Sequence, residues 1–159
     1  MHTSFGSKHT RARTALVAAQ SSALGRQLFF ALTQLEHEFR TTMQAALEQV
    51  DLDVRQYTTL AYIVGGHRPT QLDLGHILHL DASQVVTLTK GLAARGLLLR
   101  QTVPEDRRAR ALIITADGKR LYQQAAVLVQ RVEEALTASL SRRDHSALKN
   151  LLDRTLPFS

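Results

Sequence analysis

The 159-residue chain contains no cysteine. That excludes disulfides, a thiol redox switch and a Cys-ligated zinc site, and it removes the commonest strong nucleophile. No apolar run is long enough to span a membrane. The opening stretch carries Lys8, Arg11 and Arg13, but no hydrophobic signal core follows it. A cytoplasmic protein without a membrane partner is expected. Proline is scarce, at Pro69, Pro104 and Pro157 only, so the segments between can run as long helices. There is no glycine-rich phosphate loop, no nucleophile elbow and no pair of carboxylates at a catalytic spacing. Neither an enzyme nor a bound cofactor is expected. No internal repeat or low-complexity stretch interrupts the chain.

What is present is basic and helix-like. Hydrophobic residues make up 44% and charged residues 21%, the profile of one globular domain over residues 1–159. The formal net charge is +6 and the sequence pI is about 10.3. That balance favours a polyanion, nucleic acid before an anionic membrane surface.

From about Ala15 to Leu47 apolar residues recur at helical spacing: Leu24, Leu28, Leu32, Leu35, Phe39, Met43 and Leu47. One helix of roughly 30 residues would be about 45 Å long. That exceeds the need of a small domain, and a partner subunit is the economical cover for the surplus. A second helix is predicted from Asp53 to Ile63, stopped by Gly65-Gly66. Thr70-Gln-Leu-Asp73 begins a short helix that ends near Leu80, with Thr70 and Asp73 as a capping pair. Asp81-Ala-Ser-Gln84 then caps another helix that carries Val85, Leu88 and Leu92 and stops at Gly96. Two helices joined by so short a turn have helix-turn-helix spacing.

Strands follow at Leu97–Val103 and Ala109–Ile114, joined by the charged loop Pro104 to Arg108. Thr115 caps a long helix with Leu121, Ala125, Leu128, Val132 and Leu136 on one face. Ser141 caps a last one with Leu148, Leu151 and Leu152. The predicted fold is mainly α with a small β-hairpin wing. A winged helix-turn-helix lobe spans residues 53–122, and helical dimerisation regions span 15–47 and 123–156.

Two stretches carry the expected function. The first turns of the helix after Asp81 should be short and polar where they meet a major groove. Ser83, Gln84 and Thr87 fit that role. Gln84 can pair with adenine in bidentate fashion, and Ser or Thr can read several base edges. Lys90 suits a phosphate. The second stretch is the hairpin, with Arg107, Arg108 and Arg110 opposed by Glu105 and Asp106. An arginine at a hairpin tip fits a narrow minor groove, and Asp106 can hold Arg108 in a fixed fork.

The series Thr70-Gln-Leu-Asp-Leu-Gly75, Leu80-Asp-Ala-Ser-Gln-Val-Val-Thr87, Arg95-Gly-Leu97, Asp106-Arg-Arg108, Ile114-Thr115 and Gly118 resembles the MarR (multiple antibiotic resistance regulator) family of winged helix-turn-helix transcriptional regulators. Ile114 replaces the family's usual leucine, Gly75 its frequent alanine, and Gly91 interrupts the recognition helix. The resemblance spans roughly Leu24 to Leu156. It implies a homodimer that reads a pseudo-palindromic stretch of double-stranded DNA. It also implies a repressor that a small, often phenolic, effector releases.

Other chemistries are weaker. Asp73, His76 and His79 stand at i, i+3 and i+6, but a fourth ligand is lacking, so no metal site is assigned. Phe29, Phe30, Phe39, Tyr57 and Tyr62 could line an effector cavity, although aromatics at helical spacing are more often core. No effector-binding residue is assigned. A nuclease would need more carboxylates than the wing offers. The main alternative is a winged-helix protein-interaction module that has lost DNA binding. The first 14 residues could be a basic arm, a dimer clasp or a tail.

Overall fold

The computed structural model describes the backbone of residues 14–103 and 106–155, and their side chains except at 102–110. Two compact units divide between Thr41 and Thr42. The possible roles of the N-terminal residues concern a segment that lies outside the described residues, save for its last, Thr14.

The first unit corrects the sequence reading. Residues 14–20 are helical (α1), but the helix stops there and resumes as α2 only at Leu28–Leu47. The break has a local cause. Ser21 Oγ donates to the Val17 carbonyl at 3.2 Å, and Ser22 Oγ to the Ala19 carbonyl at 2.6 Å. The Leu24 amide in turn donates to Ser22 Oγ at 3.1 Å. The Ser22 hydroxyl thus takes the Ala19 carbonyl and the Leu24 amide, groups that a continuing helix would pair with other partners. A side chain at Gly25 would overlap the Gln20 backbone, so only glycine permits this turn. Apolar spacing carries straight through such a break and gives no sign of it.

The second unit follows the predicted order: α3 (Val54–Val64), α4 (Gln71–Leu78), α5 (Ala82–Ala94), β1 (Leu98–Val103), β2 (Asp106–Ile114), α6 (Ala116–Leu136) and α7 (Arg142–Thr155). The caps expected at Thr70, Asp81, Thr115 and Ser141 are in place, and α3 adds one that the sequence reading did not assign. Asp53 Oδ1 accepts from the Gln56 amide at 2.7 Å, and Gln56 Oε1 accepts from the Asp53 amide at 3.0 Å. Thr70 with Asp73 and Asp81 with Gln84 close the same reciprocal box. Thr115 caps α6 through the Gly118 amide, and Ser141 caps α7 through Asp144. Each box satisfies amides that a helix start leaves unpaired.

The core gathers Leu60 and Ile63 of α3, Leu74 of α4, Val85 and Leu92 of α5, Leu98 and Leu112 of the strands, and Ala125 and Val129 of α6. Val129, not the expected Leu128, reaches the core of α6; Leu128 is half-buried. The two strands pair antiparallel, with Leu98 opposite Ile114 and Arg100 opposite Leu112. β2 starts at Asp106, three residues earlier than expected. The register shifts there: Thr102 faces Arg110 while Val103 faces Asp106, so three residues of β2 stand between the two pairs. Part of the predicted charged loop is therefore strand. The Leu112 amide also donates to the Pro69 carbonyl at 2.9 Å, which ties the start of α4 to β2. Where α6 begins, a side chain at Gly118 would overlap the Leu97 carbonyl, so this glycine sets the close approach of α6 to the end of the helix-turn-helix. No helix among the described residues is long and apolar enough to cross a membrane.

Candidate nucleic-acid interface

The helix-turn-helix is built from its turn outward. α4 ends at Leu78, and His79 adopts the left-handed conformation at φ 52°. Three residues after Leu78 separate it from Ala82, where α5 starts. Leu74, Val85 and Leu92 lie fully inside and lock the two helices together. Their burial forces the other face of α5 outward. Ser83, Gln84, Thr87 and Lys90 are all exposed there, as the sequence predicts for a reading face.

Their hydrogen bonds define what that face offers. Ser83 Oγ donates to Asp81 Oδ1 at 2.7 Å. Thr87 Oγ1 donates to the Ser83 carbonyl at 3.0 Å. A hydroxyl has one hydrogen and two lone pairs, so both residues present acceptors outward in this arrangement. Gln84 Oε1 accepts from the Asp81 amide at 3.1 Å. That bond leaves the amide nitrogen for another partner. A bidentate pair with adenine would first require Gln84 to leave the capping box.

Asp81 is held ionised by the same contacts. The Gln84 amide, then the Ser83 hydroxyl, lower its carboxyl below the ordinary 3.8. Asp73 is lowered likewise, first by the Thr70 amide and then by the Thr70 hydroxyl. Its Oδ2 accepts from both, at 2.7 and 2.8 Å. Asp73 thus serves the α4 cap. Among the described residues no three His, Cys, Asp or Glu are disposed to hold a metal ion.

The hairpin is joined to this frame at its base. Thr115 Oγ1 donates to the Gly96 carbonyl at 2.7 Å, and the Leu97 carbonyl accepts from the Thr115 amide at 3.1 Å. Arg95 reaches back to Asp51, donating to its carbonyl at 2.7 Å and pairing with its carboxylate at 3.2 Å. The backbone of Asp106, Arg107, Arg108 and Arg110 lies in β2. Their side chains, and with them the proposed Asp106–Arg108 fork, lie outside what is described. Sequence reasoning overlooked Gln71, Thr89 and Arg100, which share one buried hydroxyl contact. A threonine at a core-facing position of α5 was the available signal.

Of the candidate effector aromatics, each is described within its own unit. Tyr57 stacks on Tyr122 with ring centroids 5.8 Å apart, and Tyr62 stacks on His67 at 4.5 Å. Burial, with Tyr122 and Glu133 adding to it, pushes the Tyr57 hydroxyl up to about 12. Phe30 lines a hollow of about 520 Å³ together with Leu16, Ala31 and Leu35.

A sequence profile of the MarR family matches residues 50–109, from the turn before α3 into the wing. A solved MarR-family transcriptional regulator from Rhodococcus sp. RHA1 superimposes with a TM-score of 0.77 at 26% identity, over 83% of this chain and 94% of that one. The chain thus resembles the MarR family in the sequence of its winged-helix core and in its fold. Another similar structure is that of the transcriptional repressor CouR, solved on a 23-mer DNA duplex, with a TM-score of 0.75 at 26% identity over 82% of this chain and 93% of that one. CouR from Rhodococcus jostii RHA1 has also been solved with p-coumaroyl-CoA. Among curated sequences, a relative from Thauera aromatica is named as a transcriptional regulatory protein for the hcr operon. It is 30% identical over 98 residues, 62% of this chain, and the match spans 59% of that relative's length.

Proposed function

We propose that the protein is a cytoplasmic, homodimeric transcriptional regulator that binds double-stranded DNA in a sequence-specific way and performs no catalysis. One observation carries the reading. The second helix of a helix-turn-helix turns a short polar face to solvent, and an arginine-bearing hairpin follows it directly. Ser83, Gln84 and Thr87 meet base edges in the major groove, and Lys90 meets a phosphate. Arg107, Arg108 and Arg110 serve the wing, Arg108 entering the minor groove with Asp106 orienting it. The outward lone pairs of Ser83 and Thr87 suit base donors, the amino groups of cytosine or adenine. CouR on its DNA duplex supports the mode of binding, and p-coumaroyl-CoA on CouR supports repression relieved by a small ligand. In the dimer, two such lobes read half-sites about one helical turn apart. In this reading the winged-helix lobe spans residues 53–122, and the stretches 15–47 and 123–156 on either side in the sequence serve pairing.

The test is fluorescence anisotropy of the purified protein on DNA from upstream of its own gene and on scrambled DNA, over a salt series. Tight, salt-sensitive binding that prefers the upstream duplex is expected. Arg108→Ala should weaken binding at every sequence. Gln84→Ala should relax base preference at one position by roughly 1–3 kcal/mol. No binding to either duplex at low salt would leave an interaction module that has abandoned DNA.

A further inference from the structure

We infer that Arg100 is an additional phosphate contact of this surface, aimed by the buried Thr89 hydroxyl, with Thr89 acting as a positioning residue. The inference rests on the DNA-binding reading above.

Thr89 is an odd choice for its place. It faces the core of α5 between Val85 and Leu92 and is fully buried. A β-branched polar residue there lowers helix propensity, and its hydroxyl must be satisfied. It is satisfied completely. Oγ1 donates to the Val85 carbonyl at 2.8 Å. Its lone pairs accept from Gln71 Nε2 at 2.6 Å and from Arg100 Nη2 at 3.1 Å. One hydroxyl thereby joins the first residue of α4, the middle of α5 and the middle of β1. An apolar residue would fill the same space but would hold neither donor.

Arg100 differs from its neighbours of like charge. Arg95 pairs with Asp51, and Arg120 pairs with Asp117. Among the described residues no carboxylate pairs with Arg100. Its anchor is a neutral oxygen, so no described partner cancels its positive charge. A guanidinium carries five N–H groups in a rigid fork, and one bond to Thr89 fixes the fork without using it up. The residue as a whole remains exposed. Arg100 also sits at the seam between α5 and the wing. When a helix occupies a major groove and a wing the adjacent minor groove, a phosphate strand runs between them. A pre-aimed guanidinium at that seam meets a phosphate with little ordering cost.

The test uses the full chain, the upstream duplex and the scrambled duplex over a salt series. Arg100→Gln should lose about tenfold in affinity on both duplexes, and the slope of log affinity against log salt should shrink by about 1. A role confined to bracing the lobe would leave that slope unchanged. Thr89→Val should weaken wild-type binding but add less than about twofold to Arg100→Gln, because the two act through one contact. Thr89→Ser, which keeps the hydroxyl, should restore binding. An Arg100→Gln protein that stays folded by circular dichroism and keeps the wild-type salt slope overturns the inference and leaves the DNA-binding reading intact. A wild-type protein that binds neither duplex overturns both. If Thr89→Val fails to fold, Arg100→Gln and Thr89→Ser still decide the question.

Discussion

α5 and α7 are helices of nearly equal length, 13 and 14 residues, with opposite fates for their apolar faces. α5 buries Val85, Thr89 and Leu92 against its own chain. α7 buries no residue, although Leu148, Leu151 and Leu152 lie along it, and Leu151 is 59% exposed. The start of α2 resembles α7, with Leu28 and Phe29 exposed at 70% and 72%. The lobe around α5 is therefore finished within one chain. The apolar stripes of α2 and α7 are not, which is the pattern expected of surfaces that await a second copy.

The largest expected effect tests that contrast directly. Leu92→Ala should cost about 2–5 kcal/mol, because its cavity opens inside a closed core. In urea unfolding the cost should not depend on protein concentration. Leu151→Ala should instead act through association, and sedimentation should show a dimer that dissociates at higher concentration than wild type. A Leu151→Ala protein with wild-type dissociation would remove α7 from the interface.

A middle-sized effect concerns the entrance to α5. Asp81→Ala should lower stability, since the amide of Gln84 loses its acceptor. The same carboxylate gives the lobe a pH signature. Its folded pKa lies below the ordinary 3.8, as does that of Asp73. The stabilisation from both caps is full above the ordinary value and fades as pH falls through the folded ones. Thermal melts of wild type should lose stability across that acid window, and Asp81→Ala should lose less. Identical acid sensitivity in the two proteins would mean that the Asp81 cap contributes nothing there.

The smallest effect lies on the reading helix. Gly91 is exposed, and none of the described residues stands within 4 Å of where its Cβ would be. Close packing against another described helix is therefore not its purpose. Gly91→Ala should raise stability by up to about 1 kcal/mol in chemical denaturation. Loss of DNA affinity in that variant would put the duplex backbone in the open space, and unchanged affinity would leave solvent there.

Much of the lobe was legible because its signals are local. Thr70 with Asp73, and Asp81 with Gln84, name helix starts by chemistry that acts over three residues. The α5 face of Ser83, Gln84, Thr87 and Lys90 followed from periodicity, since Val85 and Leu92 can point only one way. Where the reading failed, a competing local feature won. Ser21, Ser22 and Gly25 broke a helix that apolar spacing ran straight through. Val129 displaced Leu128 because one residue turns a helix by about 100°, less than the width of an apolar stripe. β2 began early because a register shift between its pairs takes up three residues that a simple hairpin count assigns to the loop.

By itself the sequence determined the class of the protein, its order of elements and the polar face of α5, because caps, glycine stops and apolar period act between residues close in the chain. Only the tertiary structure decided which polar groups of that face are already engaged. Gln84 is drawn into the Asp81 cap, and Ser83 and Thr87 turn their hydrogens inward. It alone joined Gln71, Thr89 and Arg100, which stand 18 and 11 positions apart. No period or motif links such residues. They meet because packing α4 and β1 against α5 leaves one buried oxygen that needs two donors, and these two side chains are long enough to reach it.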